Sequence, residues 1–187
     1  MSGDERDKSF ALRAAEPRDV PAMVGLIREL AEFEKLTHLL QVTTQSLHPH
    51  LFGARPVVEA MVGEAGAQVV AFALYFTNFS TFLAKPGLYL EDLYVQPAHR
   101  GHGIGRALLG RLGALAVERG YGRFEWSVLD WNENAIRFYE QHGFRVVSPA
   151  EKERLLRKYW RIPDRQIETS VVLAGPKWPA KEGAAVC

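Results

Sequence analysis

Along this chain, apolar residues alternate with polar ones in some stretches and recur at helical spacing in others. The switches between the two periods predict its elements. Phe10-Ala-Leu-Arg-Ala14 alternates as a short first strand. Pro17 and Asp19 signal a helix start, after which Met23, Ile27, Leu30 and Phe33 share one helical face, with Arg28, Glu29 and Glu32 off it. Thr44 to Leu51 predicts a second short helix, capped by Thr43 or Thr44 and stopped near Pro49. Pro56–Val62 and Gln68–Tyr75 are β-rich runs separated by Gly63-Glu-Ala-Gly66, which predicts a hairpin. Asn78 to Gly87 reads as a loop and Leu88 to Val95 as the next strand. A long helix from Ile104 to Arg119 follows, with Ile104, Leu108, Leu112 and Leu115 spaced for burial, and Gly120-Tyr-Gly122 ends it.

Phe124 to Leu129 alternates as a strand, with Phe124, Trp126 and Val128 on one side. Asn132 caps a helix over Glu133–Gln141 that stops at Gly143. Phe144–Val147 and Gln166–Leu173 predict closing strands, while Arg154–Ile162 fits no single element. An antiparallel start followed by strand, glycine turn, helix, strand, helix and strand predicts an α/β layer with a locally parallel sheet. The expected organisation is a flexible head over residues 1–9, one domain over 10–173, and a loose tail rich in Pro, Gly, Ala and Lys over 174–187.

Composition narrows the partners. The 187 residues are 47% hydrophobic and 11% aromatic, enough to bury the core of one domain. Lys and Arg number 23 against 22 Asp and Glu, so no overall field draws the chain to nucleic acid or to an anionic membrane. Neither is expected as a partner, and any basic site has to be local. The single cysteine, Cys187, excludes an intrachain disulfide and fits a reducing compartment. Met1 to Ser9 is polar and mixed in charge, and no apolar run approaches the about 20 residues that span a bilayer. A cytoplasmic protein is the expectation. His38, His48, His50, His99, His102 and His142 lack metal-ligand spacing with acidic or Cys partners, so no metal is expected.

The local basic site is Gln96-Pro-Ala-His-Arg100-Gly-His-Gly-Ile-Gly-Arg106, between the strand ending at Val95 and the helix opening at Ile104. Glycines at 101, 103 and 105 let backbone N–H groups approach a ligand unshielded. The helix start adds unpaired donors and positive dipole potential, and Arg100 and Arg106 can add charge-assisted contacts. The pattern suits a phosphorylated ligand. A dinucleotide fingerprint needs glycines at relative positions 1, 3 and 6, and position 6 is Arg106 or Leu108 depending on the starting glycine. No Gly-Lys-Ser/Thr ending is present either.

The remaining pattern, Arg100-Gly101-His102-Gly103-Ile104-Gly105-Arg106 after a strand, resembles the Q/R-x-x-G-x-G/A loop of the GCN5-related N-acetyltransferase superfamily, which holds the pyrophosphate of acetyl-CoA. Downstream, Trp131-Asn-Glu-Asn-Ala-Ile-Arg-Phe-Tyr139 and Gly143-Phe144 are similar to the motif in which an asparagine contacts the pantetheine arm and a tyrosine sits by the thiol. The resemblance spans most of residues 10–172. It implies a mixed central sheet, antiparallel in its N-terminal part with a splayed parallel pair at the cofactor site, flanked by helices. It implies acetyl-CoA as cosubstrate, held by Leu93, Tyr94 and Val95 through their backbone, by the loop residues Arg100, Gly101, His102, Gly103, Ile104, Gly105 and Arg106, and by Asn132, Glu133, Asn134, Ala135 and Tyr139.

Acetyl transfer to an amine needs a polarised thioester carbonyl, a deprotonated amine and a proton for the departing thiolate. An alkylammonium, with a pKa of about 10, has no lone pair to attack with. The strand bearing Val95 takes the oxyanion-stabilising role by resemblance. Tyr139, seven residues after Asn132 and so about two turns along the same helix, is the candidate general acid. A core tyrosine packed on Phe138 is the competing reading. Glu91 and Asp92 are adjacent on a strand and point to opposite faces. Glu91 is the candidate for drawing off the amine proton, directly or through water, against the reading of a merely solvated carboxylate.

Ile27-Arg-Glu-Leu-Ala-Glu-Phe-Glu34, Tyr89-Leu-Glu-Asp92 and Trp131-Asn-Glu133 together look like the spermidine/spermine (diamine) acetyltransferase branch. By that resemblance Phe33, Glu34, Glu91, Asp92, Trp126 and Glu151 line the amine site, and two subunits form a homodimer. Phe33 stands where the branch has a tyrosine. The expected reaction is acetyl transfer from acetyl-CoA to a primary amine of a small molecule, a polyamine, diamine or lysine-like amine, with polyamine-like substrates favoured. The basic stretch after Glu151, Lys152-Glu-Arg-Leu-Leu-Arg-Lys158, would not favour a long polyamine and leaves a shorter diamine or lysine-like amine open. Acetylation of a protein N-terminus, a lysine side chain or an antibiotic amine on the same fold remains an alternative. A CoA-binding sensor without turnover is a further one.

Overall fold

The computed structural model describes residues 10–129 and 131–142 and the strands at 145–147 and 169–174. Among these, residues 10–76 with Glu91–Leu112 pack as one compact unit, and Thr77–Leu90 with the described residues from Gly113 onward as a second. In chain order the elements are β1 (Phe10–Ala14), α1 (Val20–Phe33), α2 (Thr44–Phe52), β2 (Glu59–Ala65), β3 (Gln68–Ser80), β4 (Lys85–Val95), α3 (Ile104–Glu118), β5 (Phe124–Leu129), α4 (Glu133–Gln141), β6 (Arg145–Val147) and β7 (Thr169–Ala174).

The strands are hydrogen-bonded in the order β1-β2-β3-β4-β5-β7-β6. β1, β2 and β3 are antiparallel, from Phe10↔Ala65 to Ala14↔Met61 and from Glu59↔Tyr75 to Ala65↔Gln68. A parallel ladder pairs Leu88–Leu90 of β4 with Phe124–Trp126 of β5. β4 continues beyond it to Val95. β7 lies antiparallel to both β5 and β6. The expected mixed α/β sheet, antiparallel at its start with a parallel β4–β5 pair, is therefore present.

In the first unit, Val20, Met23, Val24 and Leu26 of α1 and Leu47 and Leu51 of α2 pack with Val62, Phe72, Leu74 and Tyr94 of the sheet. Burial of this apolar surface is the main stabilising force. The tilt of α1 differs from the expected face: Ile27 and Leu30 are half-buried and Phe33 is 41% exposed. α2 is closed by a reciprocal cap, Ser46 N–H to Thr43 Oγ1 at 3.1 Å and Thr43 N–H to Ser46 Oγ at 2.9 Å. It runs through Pro49 to Phe52 rather than stopping there. The proline costs one backbone bond, and burial of Leu51 beyond it offsets that loss.

β2 starts three residues later than expected, and Gly63 lies inside the strand beneath Ile104 instead of in the turn. The expected loop over Asn78–Gly87 is mostly ordered strand. In the second unit, Asn78 Nδ2 donates to Glu125 Oε2 at 3.1 Å, Leu88 N–H to the Arg123 carbonyl at 3.0 Å and Gly122 N–H to the Pro86 carbonyl at 2.8 Å. These bonds hold both arms of the β3–β4 hairpin. On α3, Ile104, Leu108, Leu109, Leu112 and Ala116 are buried and Leu115 is half-buried.

Candidate active site

The glycine loop takes its shape from two left-handed residues. Gly101 has φ 79° and Gly103 φ 85°, values that side chains other than glycine adopt only with strain. An added Cβ at either would meet nothing within 4 Å, so the requirement is the backbone path and the loop's outer surface is open. Pro97–His99 forms one tight turn before it. Ala107 N–H bonds the Gly103 carbonyl at 2.9 Å, so α3 is entered directly from Gly103. The buried Ile104 side chain pins the first turn. The amides of that turn point out of the helix start, where geometry gives them no intrahelical acceptor. Such a cradle fits a pyrophosphate.

The acidic residues Glu34, Glu91 and Asp92 belong to the same unit. α1 ends in a Schellman closure: Leu36 N–H bonds the Ala31 carbonyl at 2.8 Å, Lys35 N–H bonds that of Glu32 at 3.1 Å, and Lys35 sits at φ 59°. That closure fixes Glu34, whose carboxyl is pushed above its ordinary range by burial. Asp92 is half-buried on β4, on the strand face that also carries Tyr94, while Glu91 is exposed. The Asp92 carboxyl is pushed up to about 7, first by burial and then by the negative charges of Glu91 and Glu34. Glu34 and Glu91 therefore both act on the Asp92 carboxyl through their charge.

Around the end of β4, two residues play parts that sequence reasoning missed. Glu29 of α1 accepts the Tyr94 hydroxyl at 3.1 Å and Gln96 Nε2 at 2.8 Å. Burial and this carboxylate together raise the Tyr94 hydroxyl above its ordinary value. Arg100 Nε donates to the Val95 carbonyl at 2.8 Å, and its guanidinium lies 5.4 Å from the Tyr94 ring centroid and 5.8 Å from that of Phe33. Arg106 and His102 are exposed, with His102 Nδ1 3.3 Å from the His99 carbonyl.

The second unit carries the downstream motif. Asn132 caps α4, its Oδ1 accepting from Ala135 N–H at 3.2 Å. Glu133 and Asn134 are exposed, and Asn134 Oδ1 accepts from Arg137 Nη2 at 2.9 Å. Tyr139 is 7% exposed, with its ring 5.1 Å from Trp126 and 5.4 Å from Phe138. Trp126, expected to line the amine site, is instead a core residue. It is 1% exposed and packed, with tilted rings, against Phe124 at 4.9 Å and Tyr139. Its ring packs against that of Tyr139. Glu151 lies outside the described residues.

Among the described residues no helix is long and apolar enough to cross a membrane, and no group of three or more His, Cys, Asp or Glu is arranged to hold a metal ion.

The Acetyltransferase (GNAT) family matches residues 25–144. Thialysine N-epsilon-acetyltransferase of Mus musculus is 34% identical over 151 residues, which cover 76% of this chain and 88% of that protein. L-ornithine N5-acetyltransferase NATA1 of Arabidopsis thaliana is 33% identical over 180 residues, covering 72% and 79%. Among solved structures, the PaiA N-acetyltransferase of Thermoplasma acidophilum in complex with coenzyme A shares the fold, with a TM-score of 0.68 at 14% identity over 89% of this chain and 99% of that one. The chain belongs to the GNAT acetyltransferase family and is an N-acetyltransferase acting on amines.

Proposed function

We propose that the protein transfers the acetyl group of acetyl-CoA to a primary amine of a small molecule, a diamine or lysine-like amine being favoured over a long polyamine. The observation that carries this reading is Asp92, a carboxyl near pKa 7 in the field of Glu34 and Glu91. Neighbouring carboxylates attract an ammonium group, and a carboxyl of raised proton affinity can take up the proton that the ammonium must lose before attack. The names of two relatives, a thialysine and an ornithine acetyltransferase, support the same size of acceptor.

Bound acetyl-CoA supplies the activated acetyl group as a thioester. For the protein's part, the Gly101–Arg106 amides and Arg106 hold the pyrophosphate, and backbone groups of Leu93, Tyr94 and Val95 align the pantetheine and polarise the thioester oxygen. Asn132, with Glu133, Asn134 and Ala135 at the start of α4, binds the pantetheine arm. Glu34, Glu91 and Phe33 attract and orient the amine, the ring face adding cation–π attraction. Glu91 or Asp92 accepts the amine proton, with Asp92 the better matched to neutral pH. Tyr139 returns a proton to the departing sulfur. The same reading carries a cytoplasmic location and a homodimer as proposals.

The test is release of free thiol from acetyl-CoA against a panel of thialysine, ornithine, short diamines, spermidine, an aminoglycoside and a lysine-containing peptide. Highest kcat/KM with the short amines supports the reading. Preference for the peptide or the aminoglycoside would move the protein to another acceptor class, and tight CoA binding with no turnover would make it a sensor.

A further inference from the structure

The peptide unit joining Val95 to Gln96 is held at both ends. Its carbonyl accepts from Arg100 Nε at 2.8 Å, and its N–H donates to the Val70 carbonyl at 2.9 Å. The Tyr94 side chain, one residue earlier, is fixed by its bond to Glu29. The strand end proposed to align the donor is thus clamped by α1, by β3 and by one arginine. That arginine does more than hold a carbonyl. Its guanidinium carbon lies within cation–π distance of the Tyr94 ring and also of the ring of Phe33, the last residue of α1, next in sequence to the acidic residue Glu34. A planar guanidinium can donate through Nε and stack through its face at once, which a lysine ammonium cannot.

We propose that Arg100 is a positioning residue that ties the end of β4 to the end of α1, bonding the Val95 carbonyl and bridging Tyr94 and Phe33, so that amine recognition at Phe33 is coupled to the geometry of the donor strand. On the sequence pattern alone Arg100 reads as a phosphate ligand. Its contacts in the structure instead face the strand end and the two rings, leaving the Gly101–Arg106 amides and Arg106 to meet the phosphates. The coupling rests on the acetyl-CoA and amine reading given above.

A double-mutant cycle tests it, using the panel amine that the wild-type protein turns over fastest. Arg100→Met and Phe33→Leu should each raise the KM for that amine about three- to fivefold at saturating acetyl-CoA, the worth of one cation–π contact. The double variant should be no worse than Arg100→Met alone. Arg100→Lys should resemble Arg100→Met. With S-acetylpantetheine, a donor lacking phosphates, Arg100→Met should lose the same factor in kcat/KM as with acetyl-CoA. The proposal is overturned if Arg100→Met raises only the KM for acetyl-CoA, if Arg100→Lys restores it, or if the two substitutions multiply. If wild-type protein turns over no panel amine with acetyl-CoA, the functional reading fails on its own. The coupling is then read from urea unfolding, where non-additive losses for Arg100→Met and Phe33→Leu support it and additive losses refute it.

Discussion

Arg13 grips Asp19 with both terminal nitrogens, Nη1 at 2.6 Å and Nη2 at 2.9 Å, and Nη2 reaches Glu64 at 2.6 Å as well. Asp19 is 4% exposed and also accepts the Glu16 N–H at 2.7 Å. The cluster joins β1, the turn before α1 and β2. Asp19→Asn should cost about 1–3 kcal/mol by leaving buried donors unsatisfied. The Arg13 bond holds the Asp19 carboxyl below its ordinary value of 3.8. The stability it contributes is therefore present above that value and lost as pH falls through the lower folded value. Urea unfolding should show a wild-type advantage at neutral pH that closes in acid; a gap that persists in acid would contradict the assignment.

Asp92 has the opposite sign. Its folded value of about 7 lies above the ordinary 3.8, so any stability it contributes is complete below 3.8 and lost as pH rises through 7. Asp92→Asn should gain stability above neutral pH while losing activity. In the active protein, kcat/KM should rise with pH through about 7 as Asp92 ionises. Glu91→Gln and Glu34→Gln each remove a neighbouring negative charge, so each should move that limb to lower pH. A limb that stays in place in both variants would remove Asp92 from the proton's path.

Alanine at Gly101 or Gly103 has room for its methyl group but must adopt a left-handed backbone costing about 1–2 kcal/mol. The KM for acetyl-CoA should rise about tenfold while the KM for the amine changes little. Equal effects on both would place the loop elsewhere in the reaction.

Tyr139→Phe keeps the ring that packs on Trp126 and Phe138, so the fold should survive. Loss of the general acid should lower kcat about a hundredfold and remove the alkaline limb of its pH profile. An unchanged kcat and profile would return Tyr139 to a packing role.

What could be read ahead of the structure was what local sequence controls. The Asn132 cap, the Thr43 cap and the two glycines of the loop each depend on a few adjacent residues, and each lies where the spacing put it. Features set by distant residues were hidden. Alternation along β5 assigns Trp126 a side but does not say that Tyr139 of α4 covers it. Glu91 and Asp92 are equivalent as letters, and burial together with Glu34, far away in sequence, raises Asp92. The end of α1 is closed by Lys35 at positive φ rather than by a glycine, so no residue type announced it. The contacts of Arg100 with the rings of Phe33 and Tyr94 likewise depend on the fold and cannot be read from the loop pattern.

In the proposed reaction the amine attacks the acetyl-CoA thioester directly, and Asp92 takes up the amine proton. Incubation with acetyl-CoA labelled in its acetyl group and with ornithine, thialysine and short diamines, followed by mass spectrometry of the amines, tests it most directly. One labelled acetyl group is expected on a primary nitrogen, formed in step with free CoA and largely lost in Asp92→Asn. Free CoA without labelled amine, or labelled amine formed equally well by Asp92→Asn, would contradict it.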